Sequence, residues 1–208
     1  MTLILFGAPL SPYARACRIA FAEKGVPYEF NQIGPADLHE PDYGKRHPFR
    51  KLPSLDVDGT ALYETSAIMR FVDEAHDTGV ALQPADPLAR ARYEQWLSAA
   101  DAYLYDTLFF GLFFQRAVAP SFGMEIDEEL IAASIEKTKG YLPVIAAGLQ
   151  SGELGAPETP QLGDILVAAI ILPLMDIDEG ASILREHDGV LGWVSKLRER
   201  DSFKSTEA

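Results

Sequence analysis

The chain reads as two parts of different architecture, a small α+β domain followed by an all-helical bundle. Three observations predict this. Strand-like and helix-like segments alternate through the first 76 residues. A cluster of chain breakers, Gly79, Pro84 and Pro87, follows them. Beyond Leu88 strand signals disappear and long helical periodicities take over. The predicted boundaries are 1–76 for the first domain, 77–88 for a linker and 89–208 for the helical domain.

In the first part, Leu3–Phe6 is a short, wholly apolar run that suits a buried strand. Ser11-Pro12 then opens a helix, because Ser is a favoured N-cap and Pro fits the first helical position. Tyr13, Ala16, Cys17 and Ala20 fall on one face, and Gly25 marks the helix end. Tyr28–Gln32 reads as a second strand. Ser54–Val57 and Ala61–Tyr63 flank Asp58-Gly59, a hairpin signal, and Thr65 starts a helix running to about His76.

In the second part, Trp96, Ala100, Tyr103, Thr107, Phe110 and Phe114 step by four and three residues, which predicts one shared helix face. Ile126–Leu149 is a further helical stretch, expected to break near Gly140. Ser151–Gln161 is a Gly/Pro-rich connection, Asp164–Leu174 an apolar central helix, and Val190–Arg198 the last clear helix.

Composition narrows the function. The net charge of −13 argues against nucleic acid, which is bound by basic surfaces, and against an anionic membrane. The apolar run Ile165–Met175 is far short of the ~20 residues needed to span a bilayer. No signal peptide is evident, so the expected compartment is the cytoplasm. The single cysteine, Cys17, permits no internal disulfide and no thiol-rich metal site, and no metal is expected. On the apolar stripe of its helix it reads as a core thiol. One stretch opposes the general acidity: Gly44–Lys51 (GKRHPFRK) holds four of the 18 Lys and Arg residues and no acid. It is either a solvated loop or an anion site.

Three further features carry potential chemistry. Ser11 stands at a helix N-terminus, where partial positive charge gathers. It is either a plain cap or a hydrogen-bond donor to an anion held there. Leu52-Pro53 precedes a strand, which suits a residue that cannot donate into a ladder. A cis bond there would expose the Leu52 backbone to a passing peptide, although only about 5–6% of X–Pro bonds are cis. Glu64-Thr65 opens the third helix. Beyond ordinary capping, Thr65 and the helix N–H groups could take the carboxylate of an amino-acid head group and Glu64 its ammonium.

Together these features resemble the glutathione transferase superfamily. The stretch FGAPLSPYARACRIAFAEKGVPYE is similar to the family's first helix region. HPFRKLPSLDVDGTALYETSAI is similar to its pattern N-P-x-x-x-[VIL]-P-x-L-x-x-x-x-x-x-L-x-E-S-x-A-I. The resemblance implies a thioredoxin-like first domain with Pro53 cis, and a homodimer. It also implies glutathione as co-substrate and Ser11 as the catalytic serine of the phi and tau types. Leu52 would pair with the cysteinyl unit, Glu64 and Thr65 would hold the γ-glutamyl end, and Lys51 and His39 fall near the glycyl carboxylate. Three positions depart from the pattern: Thr65 stands for Ser, His47 for Asn, and Gln161 for the Ser or Thr that caps the helix of Asp164. Ser11 and Ala14 stand where glutaredoxins carry cysteines, which disfavours thiol–disulfide exchange through the protein.

The expected activity is conjugation of the glutathione thiolate to small hydrophobic electrophiles, as in detoxification. Tyr13, Tyr103, Phe110, Phe113 and Phe114 are the candidate electrophile-binding residues, or else core aromatics. Arg15 is either an ion-pair partner or a pocket residue. Two alternatives stay open. One uses the same thiolate for peroxide reduction, dehalogenation or isomerisation. The other is a non-catalytic glutathione-binding or assembly module.

Overall fold

The computed structural model describes residues 1–156 and 158–207, and divides into two compact units. The first comprises Met1–Gln83 together with the chain from Asp201 onward. The second is Pro84–Arg200. Pro157, within the predicted 151–161 connection, and Ala208 lie outside the described residues.

The first unit is a mixed sheet with helices. Its strands are β1 (Leu3–Gly7), β2 (Glu29–Gln32), β3 (Ser54–Val57) and β4 (Thr60–Tyr63), in spatial order β2-β1-β3-β4. β1 runs parallel to β2 and antiparallel to β3, and β3 and β4 form a hairpin. Its turn residues, Asp58 and Gly59, have φ of 49° and 88°, the left-handed pair that matches the twist of the flanking strands. This is the thioredoxin-like arrangement with α1 (Pro12–Lys24), α2 (Pro41–Arg46) and α3 (Thr65–Glu74). α1 ends at Gly25, whose φ of 62° lets its N–H close back on the Ala22 and Phe21 carbonyls. α2 runs into the start of the basic stretch, as far as Arg46. At six residues it is too short to show periodicity, but Pro41 starts it and Lys45 pairs with Asp42 at 2.7 Å.

The predicted helix end at His76 falls instead at Glu74, and the next residues fold back over α1. Thr78 Oγ1 donates to the Lys24 carbonyl at 2.8 Å. At Gly79 a Cβ would lie 2.4 Å from the Glu23 carbonyl oxygen, and φ is +69°, so only glycine fits. Beneath this strap a buried ion pair joins Lys24 Nζ to Asp73 at 3.0 Å. The C-terminal residues close the unit. α9 (Asp201–Lys204) buries Phe203, Arg15 Nη2 donates to the Phe203 carbonyl at 3.3 Å, and Arg18 Nη1 donates to the Thr206 carbonyl at 3.1 Å. Ser202 also donates to Glu23. Arg15 is thus tied to this tail, with Glu207 3.9 Å away.

The second unit is helical: α4 (Pro87–Ala99), a π-helix (Ala100–Val118), α5 (Glu128–Ser151), α6 (Leu162–Ile171), α7 (Asp178–Arg185) and α8 (Asp188–Arg198). Two expectations are corrected here. The stripe from Trp96 to Phe114 is not one buried face. Trp96, Ala100 and Thr107 are buried, but Tyr103 and Phe110 are exposed. Burial runs one position along instead, through Ala100, Leu104, Thr107, Gly111, Gln115 and Val118, in steps of four and three, with Phe109 and Phe113 buried besides. Nor does α5 break near Gly140; it runs through Gly140 and Pro143. Packing overrides the local preference, because α5 crosses α4 where a Cβ on Gly148 would come 2.3 Å from the Trp96 ring.

Gly140 itself is exposed, with nothing within 4 Å of a Cβ placed there. Gly140→Ala is therefore expected to stabilise the second unit by about 0.5–1 kcal/mol through helix propensity. Tryptophan fluorescence in denaturant reads it, since Trp96 and Trp193 are both in this unit. A lower midpoint would mean that α5 does break at 140.

α6 is the apolar centre, and every one of its residues is buried. Asp164 near its start accepts from the Gly155 N–H at 2.7 Å and the Gln161 N–H at 3.0 Å. Burial raises its carboxyl above the usual carboxylate range, against the pull of those two N–H groups. Gln161 Oε1 is buried with no partner among the described residues, so only the Asp164 half of the capping box is made. No helix among the described residues is long and apolar enough to cross a membrane.

Candidate active site

The sheet register gathers the candidate residues at one end of the first unit. Phe6 pairs with Ser54, and Ser54 pairs with Tyr63. In the parallel pair Phe6 stands opposite Asn31. Just beyond this row, β1 leads to Ser11, β3 is entered from Lys51, Leu52 and Pro53, and β4 leads to Glu64 and Thr65. β2 leads on to the turn Asp37–His39. Residues up to 54 positions apart in sequence, Ser11 and Thr65, are therefore delivered to the same sheet end.

Ser11 is half-buried at the N-cap of α1, with extended φ and ψ of −73° and 120°. Its Oγ accepts from the Ala14 N–H at 3.3 Å. Capping uses a lone pair, so the hydroxyl proton is left to donate to another partner. Pro12 has no N–H, which makes that proton a principal donor at this helix end. Six positions further on, Cys17 is fully buried, its Sγ 3.9 Å from the Thr65 carbonyl, and burial pushes its thiol up out of reach of ionisation at neutral pH. Its position links α1 to the start of α3.

The Leu52-Pro53 bond is cis, Pro53 is buried and Leu52 is half-buried. Leu52 precedes the first ladder residue, Ser54, so its backbone groups are not used by a neighbouring strand. Glu64, exposed, has φ of 72° at the N-cap of α3 and makes no cap hydrogen bond. Such a backbone costs a non-glycine residue on the order of 1–3 kcal/mol, a cost tolerated where the side chain has another task. Thr65 next to it is 6% exposed.

The basic stretch divides. Lys45 is paired with Asp42, and Arg46 bonds Asp56 at 3.2 Å while lying 4.1 Å over the Phe6 ring. Arg50, with φ of 53°, donates to the Leu38 and Glu40 carbonyls at 2.9 and 3.2 Å. Lys51 is exposed, has no carboxylate partner among the described residues, and lends its carbonyl to Tyr43 Oη at 2.7 Å. His39 is exposed at the end of its turn. His47, singled out in the sequence only as a departure, is buried against the Tyr63 ring at 5.0 Å. A histidine directly before a proline was its one visible signal.

The aromatic candidates are distributed over both units. Tyr13 is half-buried in the first turn of α1. Within the helical unit, Phe110 and Phe114 stack at 5.1 Å with Phe110 exposed, Tyr103 is exposed beside Tyr141 at 6.5 Å, and Phe113 is buried on Phe109 at 5.5 Å. Among the described residues no group of His, Cys, Asp and Glu is placed to hold a metal ion.

Comparison with known proteins agrees with this arrangement. Residues 5–81 match the family model described as glutathione S-transferase, N-terminal domain. Glutathione S-transferase F9 of Arabidopsis thaliana is 30% identical over 219 residues, covering 100% of this chain and 97% of that protein. Glutathione S-transferase 3 of Zea mays is 30% identical over 217 residues, covering 99% and 93%. Among solved structures, glutathione transferase F7 of Populus trichocarpa superposes with a TM-score of 0.86 at 25% identity, covering 99% and 97%. A maize glutathione S-transferase I in complex with an atrazine glutathione conjugate gives 0.83 at 25% identity, covering 99% and 96%. Full-length similarity of this kind, on a fold whose sheet end assembles Ser11, Leu52, Pro53, Glu64 and Thr65, establishes that the chain belongs to the glutathione S-transferase family.

Proposed function

We propose that the chain conjugates the thiolate of glutathione to small hydrophobic electrophiles, with Ser11 as the donor that stabilises the thiolate. The observation that carries this is the geometry of Ser11, which caps α1 through a lone pair and keeps its proton for an anion at the helix end. A free cysteine thiol has a pKa of about 8.5, so the site must favour the anion to react at neutral pH. Glutathione's γ-glutamyl group is assigned to Glu64 and Thr65, its cysteinyl backbone to Leu52 beside Pro53, and its glycyl carboxylate to Lys51 and His39. Phe110 and Phe114 are the apolar surface assigned to the electrophile, with Tyr13, Tyr103 and Phe113 as the remaining candidates. The maize relative holding a glutathione conjugate supports this reaction class. On the same reading the chain works in detoxification as a cytoplasmic homodimer, without resident metal, membrane or nucleic acid.

Retention on immobilised glutathione, followed by turnover of a generic aryl halide, tests the reading. Retention without turnover of any electrophile would leave a binding module instead. Glu64 supplies a sharper test. Glu64→Ala removes the carboxylate and keeps the strained φ; Glu64→Gly removes both. Both variants are expected to weaken glutathione binding about tenfold or more, the loss of one charge-assisted hydrogen bond. Only the glycine variant should melt higher, by relief of a strain of about 1 kcal/mol. Wild-type affinity in either variant would remove Glu64 from the γ-glutamyl site.

A further inference from the structure

Arg50 stands in left-handed backbone, with φ of 53°, where glycine is the usual choice. A side chain kept there against its steric cost points to a task that glycine could not perform. The contacts of the guanidinium show what that task is. Its Nη1 donates to the Leu38 carbonyl at 2.9 Å and to the Glu40 carbonyl at 3.2 Å. These are the residues on either side of His39.

The same guanidinium lies against α2. A Cβ on Gly44 would come 3.2 Å from Arg50 Nη2, so the bare position at 44 leaves the room that the guanidinium occupies. A glycine inside a helix of six residues weakens that helix, and this seat is a reason to keep one. Tyr43, the residue before it, is buried and donates its hydroxyl to the Lys51 carbonyl at 2.7 Å. The Arg50 N–H donates to the His47 carbonyl at 2.9 Å, which fixes the backbone between them. Adjacent residues of α2 therefore hold Arg50 and Lys51, one by its guanidinium and the other by its carbonyl. Residues 37–40 and 50–51 both lie outside the sheet, and Arg50 is the side chain that fastens one to the other.

We propose that Arg50 is a positioning residue for the glycyl end of glutathione: by bridging the Leu38 and Glu40 carbonyls it fastens the turn of His39 to the loop of Lys51, so that both side chains act on one carboxylate. The inference rests on the assignment of Lys51 and His39 given under Proposed function. Both are exposed, and Lys51 has no carboxylate partner among the described residues. A turn left unfastened would have to be ordered each time the peptide binds, and that ordering is taken from affinity. The effect is confined to the glycyl end, because the Glu64 and Ser11 ends of the site are carried by α3 and α1.

The test is calorimetry of glutathione and of its glycyl monoethyl ester, at one pH, with the native chain, Arg50→Gly and Arg50→Lys. The ester keeps every group of the peptide except the glycyl charge. The native chain should bind it about tenfold more weakly than glutathione. In Arg50→Gly, glutathione should bind about fivefold more weakly than in the native chain while the ester is held as before, so the preference falls to about twofold. KM for glutathione should rise in step and kcat should stay, since the thiol end is untouched. Glycine suits the left-handed backbone, so this variant should keep native hydrogen-exchange protection in β1. Arg50→Lys restores a cation without the planar fork and should resemble the glycine variant. A native preference in Arg50→Lys would mean that charge acts without the clamp, and overturns the inference. The full tenfold preference in Arg50→Gly, or an equal weakening of both peptides, overturns it too. A native chain that binds glutathione and ester alike would instead remove Lys51 and His39 from the glycyl end. Absence of any binding would sink the glutathione reading, and either result takes this inference with it.

Discussion

Asp73→Ala is expected to cost the first unit about 3–5 kcal/mol, a large share of a total stability of about 5–15 kcal/mol. The Asp73 carboxylate accepts three hydrogen bonds: from Lys24 Nζ at 3.0 Å, from the Leu82 N–H at 2.9 Å and from Gln83 Nε2 at 3.0 Å. The side chains of Lys24 and Asp73 are 4% and 8% exposed, so removing the carboxylate strands an ammonium where water does not reach. The same carboxylate secures the strap of residues 78–83 that covers them. Lys24→Met should cost less, because Asp73 then keeps its two N–H donors and the methionine fills the space of the aliphatic stem. Both tryptophans lie in the second unit, so their fluorescence would miss the effect. Hydrogen exchange of the β1 amides is the suitable probe. A smaller loss of protection for Asp73→Ala than for Lys24→Met would show that the cation, not the carboxylate, organises the strap.

Ser11→Ala is expected to lower turnover about 100-fold while glutathione affinity changes only a few-fold. Lowering a thiol pKa by two units needs about 2.7 kcal/mol, and the hydroxyl donor together with the helix terminus must supply it. The substitution also removes the cap on Ala14, which costs about 1 kcal/mol of stability. The two losses are separable. Ser11→Asp restores an acceptor for the Ala14 N–H and should recover most of the stability. It offers no proton at neutral pH and places a negative charge beside the thiolate, so its turnover should be no better than that of the alanine variant. The thiolate absorbance of bound glutathione gives the thiol pKa directly. It should move toward the free value in both variants. Turnover in Ser11→Ala within about threefold of native would reduce Ser11 to a cap.

The sequence carried most of the first unit because its signals are local and chemically specific. Ser11-Pro12 at one end and Gly25 at the other delimit α1, and Asp58-Gly59 marks a turn that only left-handed residues make. The short helix α2 was not legible, since six residues show no periodicity, and its basic residues read equally well as a solvated loop. In the helical unit the spacing placed Tyr103, Phe110 and Phe114 on one face and left open whether that face is pocket or core. Burial falls one position further along, on Leu104, Gly111 and Gln115, and no local residue announces that offset. Gly140 and Pro143 are ordinary break signals, overruled by the packing of α5 on its neighbours.

The candidate site shows the same division. By residue type and order, the sequence determined that a hydroxyl caps α1, that a proline enters β3, and that a carboxylate and a hydroxyl open α3. Only the tertiary structure decided that these come together, because strand register, a relation between residues some fifty positions apart, sets which ends share one edge of the sheet. It alone showed which cations of Gly44–Lys51 are already paired, and that Lys51 is left. It also buried His47 against the Tyr63 ring, and returned Arg15 and Arg18 to the C-terminal tail. Local chemistry is written in neighbouring residues, whereas burial and partnership depend on what the rest of the chain brings to the same place.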